Sequence, residues 1–212
     1  MANSVVQAGA NPGELFIPSL NQTIKLVEWR EDDFYDTIEV GATTPGAGSS
    51  FDFFRDLNQK NIQHTNLKTP RRIPSGSEFI MTRIGLLIHQ AVGDTVVKDT
   101  DMIKLAYAAS LTFKINDRLI SEGPAVKYQS GLGVSGSTTQ TATGVVTLGV
   151  PSAAAAPSLL VAQTVTSEDD LGAVLTFANN AWIAAGSSMP TFTVRPLVSL
   201  MLHGLIKKPA TK

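Results

Sequence analysis

The sequence contains no cysteine. That excludes a disulfide scaffold and any zinc site built on thiolates. It is compatible with the cytosol and gives no sign of secretion. Charge is scarce as well. Asp, Glu, Lys and Arg make up 17% of the chain, where ordinary soluble proteins carry roughly 25%. The 17 basic residues nearly cancel the 18 acidic ones, leaving a net charge of -1. A protein held on nucleic acid mainly by phosphate contacts needs an excess of base, so that class is excluded. Low charge does not mean disorder here, because 43% of the residues are hydrophobic and a chain of that composition can bury a core. Long apolar runs are also missing. None reaches the length of a membrane-spanning helix, and the best, residues 198–206, is interrupted by Ser199, His203 and Gly204. Met1 to Asn11 lacks the basic start and apolar stretch of a secretory signal. A near-neutral, charge-poor surface favours association.

What is present is a long series of short β-like segments. The chain has 212 residues, a length that one large all-β domain commonly takes. Residues 1–20 are small and rich in Gly and Pro, and read as an arm, loose or ordered by a neighbour. A mixed-face strand is expected near 24–28 and a second over 34–40, with residues 41–50 as a loop. Phe51 to Leu57 fits either a short strand or one helical turn. Glu78 to Gln90 is rich in β-branched and aromatic residues behind the turn Ile73-Pro74-Ser75-Gly76, so it reads as a long buried strand. Gly85 within it suggests a bulge or a close backbone approach. Asp99 to Ala109 has helical spacing with Asp99 or Thr100 as cap. Leu111 to Asn116 alternates with period two. Ser167 with Asp170 three residues on fits a helix start, although Leu171 to Phe177 also suits a strand. Phe192 to Arg195 and Leu197 to Leu205 read as strands split at Pro196. About eight strands and one or two short helices, without alternation of strand and long helix, predict an all-β sandwich or barrel. A single eight-stranded jelly roll over residues 21–206 is the natural solution. Residues 207–212 form a basic tail.

Catalytic signatures are weak. His64, His89 and His203 show no ligand spacing, and His89 with His203 would have to meet a carboxylate from separate strands. No nucleophile elbow occurs. Gly131, Gly133 and Gly136 match a dinucleotide pattern, but the following Ser/Thr run will not make the required helix. Asp99 and Asp101 lack a calcium-loop continuation. No catalytic, cofactor or metal site is expected. Trp29 and Trp182 are candidates for stacking on sugars, although isolated Trp residues more often belong to a core or interface. Arg71-Arg72, with Lys60 and Lys68 nearby, is the densest basic patch. With Lys207 and Lys208 it is a candidate for meeting phosphate; a solvated loop is the plainer reading. Residues 128–167 contain no charge at all, and read either as a contact between subunits or as a polar exposed loop.

Three segments resemble the capsid proteins of tail-less icosahedral bacterial viruses that contain a membrane. They are Ile73 to Ile88, a turn launching a long strand; Leu111 to Val126, a strand, a tight turn and a Gly-Pro; and Trp182 to Pro209, where a Gly-Ser turn launches the closing strands ahead of a basic tail. The resemblance covers about a third of the chain. It implies a jelly-roll fold and assembly without catalysis. It also implies a homo-oligomeric lattice with other capsid or vertex proteins, and a place in the virion after synthesis in the host cytoplasm. Arg71, Arg72, Lys207 and Lys208 would then face an internal membrane or the genome. The alternative is a carbohydrate-binding β-sandwich, such as a lectin or a receptor-binding spike head.

Overall fold

The computed structural model describes residues 6–40, 49–89, 105–129, 156–177 and 197–207. Three short strands open the chain: β1 (Gln7–Ala8), β2 (Glu14–Ile17) and β3 (Gln22–Lys25). They pair as a small antiparallel sheet in that order. Gly13, at φ +83, turns the chain into β2, a conformation open to glycine without steric cost. A 3-10 turn, Pro18–Leu20, links β2 to β3 and ends on Asn21 in the left-handed region.

Eight further strands follow: β4 (Trp29–Glu39), β5 (Ser50–Phe53), β6 (Glu78–His89), β7 (Ala109–Ile115), β8 (Arg118–Pro124), β9 (Ser158–Thr166), β10 (Leu171–Phe177) and β11 (Leu197–Lys207). They make two four-stranded sheets, ordered β4-β11-β6-β9 and β5-β10-β7-β8. Every pairing is antiparallel. Four of the pairs are nested in the sequence: β4 with β11, β5 with β10, β6 with β9 and β7 with β8.

The inner faces of both sheets meet in one core. β7 and β10 alternate buried and half-buried residues along their length, as strands with one covered face must. Leu111, Phe113 and Ile115 stand opposite Leu175, Ala173 and Leu171. From the other sheet Phe34, Phe79, Met81, Leu200 and Leu202 pack onto the same cluster. Phe34 meets Phe79 edge-on at 4.9 Å between ring centres. Each such side chain, once buried, contributes about 1.5–3 kcal/mol.

A second, smaller core lies on the outer face of the β4-β11-β6-β9 sheet. There Ile17, Ile24, Trp29, Ile80 and Ala162 are buried together, with Leu15, Leu20 and Leu205 against them. Residues 6–20, read from composition as an arm, therefore pack on the chain's own sheet. Part of β6 is covered on both sides, which is why its sequence is apolar at nearly every position.

Several expectations change. The strand expected over 34–40 begins earlier, at Trp29, and runs 11 residues to Glu39, while the one expected near 24–28 is the short β3, which ends at Lys25. Ser50–Phe53 settles Phe51 to Leu57 as a strand that stops at Phe53. No helix starts at Ser167: β9 runs to Thr166, a turn follows, and Leu171 begins β10. Residues 105–108 are helical and Ala109 already belongs to β7; the rest of the helix expected from Asp99 lies outside the described residues. Gly85 pairs in regular register with Met201, and the irregularities fall at Met81/Arg83 and His203/Gly204. A close backbone approach occurs at Gly204, where an added Cβ would stand 2.1 Å from the Ile80 carbonyl oxygen. The loop 41–48, Gly131, Gly133, Gly136, Asp99, Asp101, Trp182, residues 192–195 and Lys208 lie outside the described residues.

Candidate functional site

The long connection between β5 and β6 is laid along the outer edge of β4. The Tyr35 amide donates to Asn66 Oδ1 at 3.1 Å, and Asn66 Nδ2 donates to the Asp33 carbonyl at 2.6 Å. Thr65 Oγ1 donates to the Tyr35 carbonyl at 3.0 Å. The Tyr35 hydroxyl reaches the Ile62 carbonyl. Beneath this strap Asp36 is fully buried, and Lys60 Nζ holds both its oxygens, at 2.8 and 2.9 Å. The Phe54 amide adds a third hydrogen bond at 2.7 Å. A buried carboxylate needs such company. The strap thus seals a sheet edge that would otherwise offer free backbone groups.

An open cleft of about 450 Å³ lies where β4, β5 and the strap converge, with Glu39, Asp52, Asp56, Lys60 and His64 on its walls. Its charges are already engaged in part: Asp52 pairs with Arg55 at 2.8 Å and Lys60 with Asp36. Among the described residues no three His, Cys, Asp or Glu stand close enough together to hold a metal ion.

The histidines do not converge. His64 sits on the cleft wall. His203 lies on β11 and pairs across to Asp33 on β4. Its Nδ1 is 2.8 Å from Asp33 Oδ1, and its Nε2 is buried without a hydrogen-bond partner among the described residues. His89 pairs with Leu197 at the other end of β11. Six residues of strand separate that position from His203, roughly 20 Å. The two cannot share a ligand.

Trp29 is 5% exposed and belongs to the outer core. Lys207 Nζ lies over its ring at 5.9 Å, and also 3.4 Å from Glu78. Trp29 therefore offers no free face for a sugar ring, because the apolar body of the indole is used in packing. The basic patch is dispersed too. Arg71 takes a left-handed conformation, with φ 59, and its backbone is fixed at both ends: its amide donates to Phe54 and its carbonyl accepts from Leu171. Its guanidinium is 3.4 Å from Asp170. Lys60 is spent on Asp36. Of the cluster, Lys68 and Arg72 remain exposed.

Among the described residues, the turn between β9 and β10 carries the one clear titration effect. Partial burial raises the Asp169 carboxyl, but hydrogen bonds from the Thr166 amide, the Thr166 hydroxyl and Asn116 outweigh it, so the group titrates below the usual carboxylate range. The amide and hydroxyl of Thr166 lie 2.6 and 2.8 Å away. Asp169, rather than Ser167, is the residue that organises this turn.

The remaining feature is β9, which ends its sheet with β6 as its one strand partner among the described residues. Four residues, 159–162, lie opposite the single Thr82 in the pairing with β6. Leu159 packs on the main core and Ala162 on the outer one. Leu160 and Val161 between them are 91% and 47% exposed. Sequence reading placed these residues inside the uncharged stretch without singling them out; a Leu-Leu-Val run gives no hint that its middle residue faces solvent. Comparison with protein-family models, with curated proteins and with solved structures gives no match.

Proposed function

We propose that the chain is a structural protein of a virion: a single jelly-roll capsid subunit that assembles in many copies into the icosahedral shell of a tail-less, membrane-containing bacterial virus. One observation carries this reading. The four nested strand pairs, with the sheet orders β4-β11-β6-β9 and β5-β10-β7-β8, support reading the eight strands as one antiparallel ribbon folded over on itself, the jelly-roll arrangement. That architecture serves capsids, lectins and metal-dependent enzymes alike, so the site must decide between them. Burial of Trp29 weakens the lectin reading, and the separation of His89 from His203 weakens the enzyme reading. An uncharged, apolar sheet edge supports assembly, since interface cores are depleted in charge.

In this reading other capsid or vertex proteins complete the shell. Any contact with an internal membrane or genome falls to Arg72 and Lys68 first, because Arg71 and Lys207 already face Asp170 and Glu78. Electron microscopy of particles purified from the native source tests the proposal. Closed shells containing this chain are expected. A chain that stays monomeric at its native concentration, with no particle containing it, would refute the reading.

A further inference from the structure

The edge strands of the two large sheets are not alike. β4 carries Arg30, Glu31, Asp32, Asp33 and Glu39, and the strap over residues 60–67 covers its edge. β8 carries Arg118 and Glu122, and β5 carries Asp52. β9 carries no charge in nine residues. Charge on an edge is a usual guard against pairing with another chain, and β9 alone of these four lacks it. Its bulge also turns Leu160 outward, the most exposed large hydrophobic residue among those described. A bulge of this kind re-aims side chains.

We propose that a second copy of this chain docks on β9, bulge against bulge, about a two-fold axis. A two-fold contact sets each residue near the axis against its own kind, so a charge there would face a like charge. No residue of β9 is itself charged, and Arg118 of β8 reaches the strand at Gln163, where its guanidinium donates to Oε1. The alternative, a head-to-tail continuation of the sheet, would need β9 of one copy to pair with β4 of the next, and the strap closes β4. The Ala162 amide already donates to Ser19 Oγ at 3.1 Å. The contact is therefore made by side chains, with Leu160 and Val161 packing on their counterparts, rather than by a continuous backbone ladder. The inference rests on the shell reading, in which identical copies meet side by side.

The absence of cysteine makes the test direct. Leu160→Cys gives the full-length chain a single thiol, and a symmetric contact brings that thiol against its own copy. Under mild oxidation of the associated protein, Leu160→Cys is expected to form a covalent dimer at least tenfold faster than Val27→Cys. Val27 is also well exposed, at 77%, but lies on the turn between β3 and β4. Leu160→Lys is expected to raise the dissociation constant measured by sedimentation by about a hundredfold, with the unfolding temperature of the subunit unchanged. Crosslinking of Leu160→Cys no faster than Val27→Cys overturns the proposal, and so does wild-type association of Leu160→Lys. Micrographs of the wild-type protein judge the shell reading separately. Shells without the crosslink remove only the two-fold contact; crosslinked dimers that never form shells remove the shell reading and keep the contact.

Discussion

Gly204 and Gly172 sit in central strands of the two sheets, and substituting each by alanine is expected to have opposite effects. At Gly204 an added Cβ would lie 2.1 Å from the Ile80 carbonyl oxygen and 2.9 Å from the Phe79 ring. That is more than an ångström short of ordinary contact, and the nearest atom is backbone, which cannot rotate away. Strand β11 is held on one side by β4 and on the other by β6, so it cannot slide aside without breaking one of the ladders. Overpacking of this kind costs about 1–3 kcal/mol. The rigid neighbour puts Gly204→Ala at the upper end, about 3 kcal/mol, a loss of roughly two powers of ten in the folding equilibrium. At Gly172 the Cβ would meet only the Lys114 Cβ, at 3.9 Å. There the removal of glycine's freedom in the unfolded chain gains about 0.4–1 kcal/mol. Urea unfolding of the protein reads both. With a slope of about 2 kcal/mol per molar, Gly204→Ala is expected to lower the midpoint by about 1.5 M and Gly172→Ala to raise it slightly. A Gly204→Ala variant within about 1 kcal/mol of wild type, or a Gly172→Ala variant equally damaged, would refute this account of the bulge.

Two further predictions concern charge. Lys60→Met leaves the buried Asp36 carboxylate with only the Phe54 amide, and is expected to cost about 3–5 kcal/mol in thermal or urea unfolding; a loss below about 1 kcal/mol would mean the strap does not depend on this pair. Asp169 titrates below its ordinary value of 3.8 in the folded state, so its stabilising effect is fully present above that pH and disappears as pH falls through the folded value. The stability gap between wild type and Asp169→Asn should hold constant above about pH 5 and shrink in more acid solution; a gap that widens on acidification would contradict the hydrogen bonding assigned to this turn.

The strands most legible in the sequence were those whose environment is uniform. β6 is apolar at most positions because part of it is covered on both faces, and β7 and β10 alternate because one face of each is covered. β4 was hard to read for the opposite reason. Asp36 occupies an inward position that alternation reserves for an apolar residue, and the lysine that makes this possible lies 24 residues away in a polar stretch. The opening residues look like an arm by composition, but Leu15, Ile17 and Ile24 bury their side chains against Ile80 and Leu205, partners that no local pattern can reveal. Gly204 is a related case: it interrupts an apolar strand, and nothing local tells that it stands against the Ile80 carbonyl of β6. The exposed Leu160 depends on a bulge opposite Thr82, again a property of two strands together.

The nesting of the strands has a consequence for timing. β11 stands between β4 and β6, yet it is made after all the other described strands. At synthesis rates of about 5–20 residues per second, the 157 residues between β4 and β11 take roughly 8 to 30 s to emerge. Throughout that interval β4 and β6 lack the strand that joins them, and the Leu200 and Leu202 side chains are missing from the core. A sheet in this order cannot be complete while the chain is still being made, because β4 and β6 are joined into one layer only once residues 197–207 have arrived.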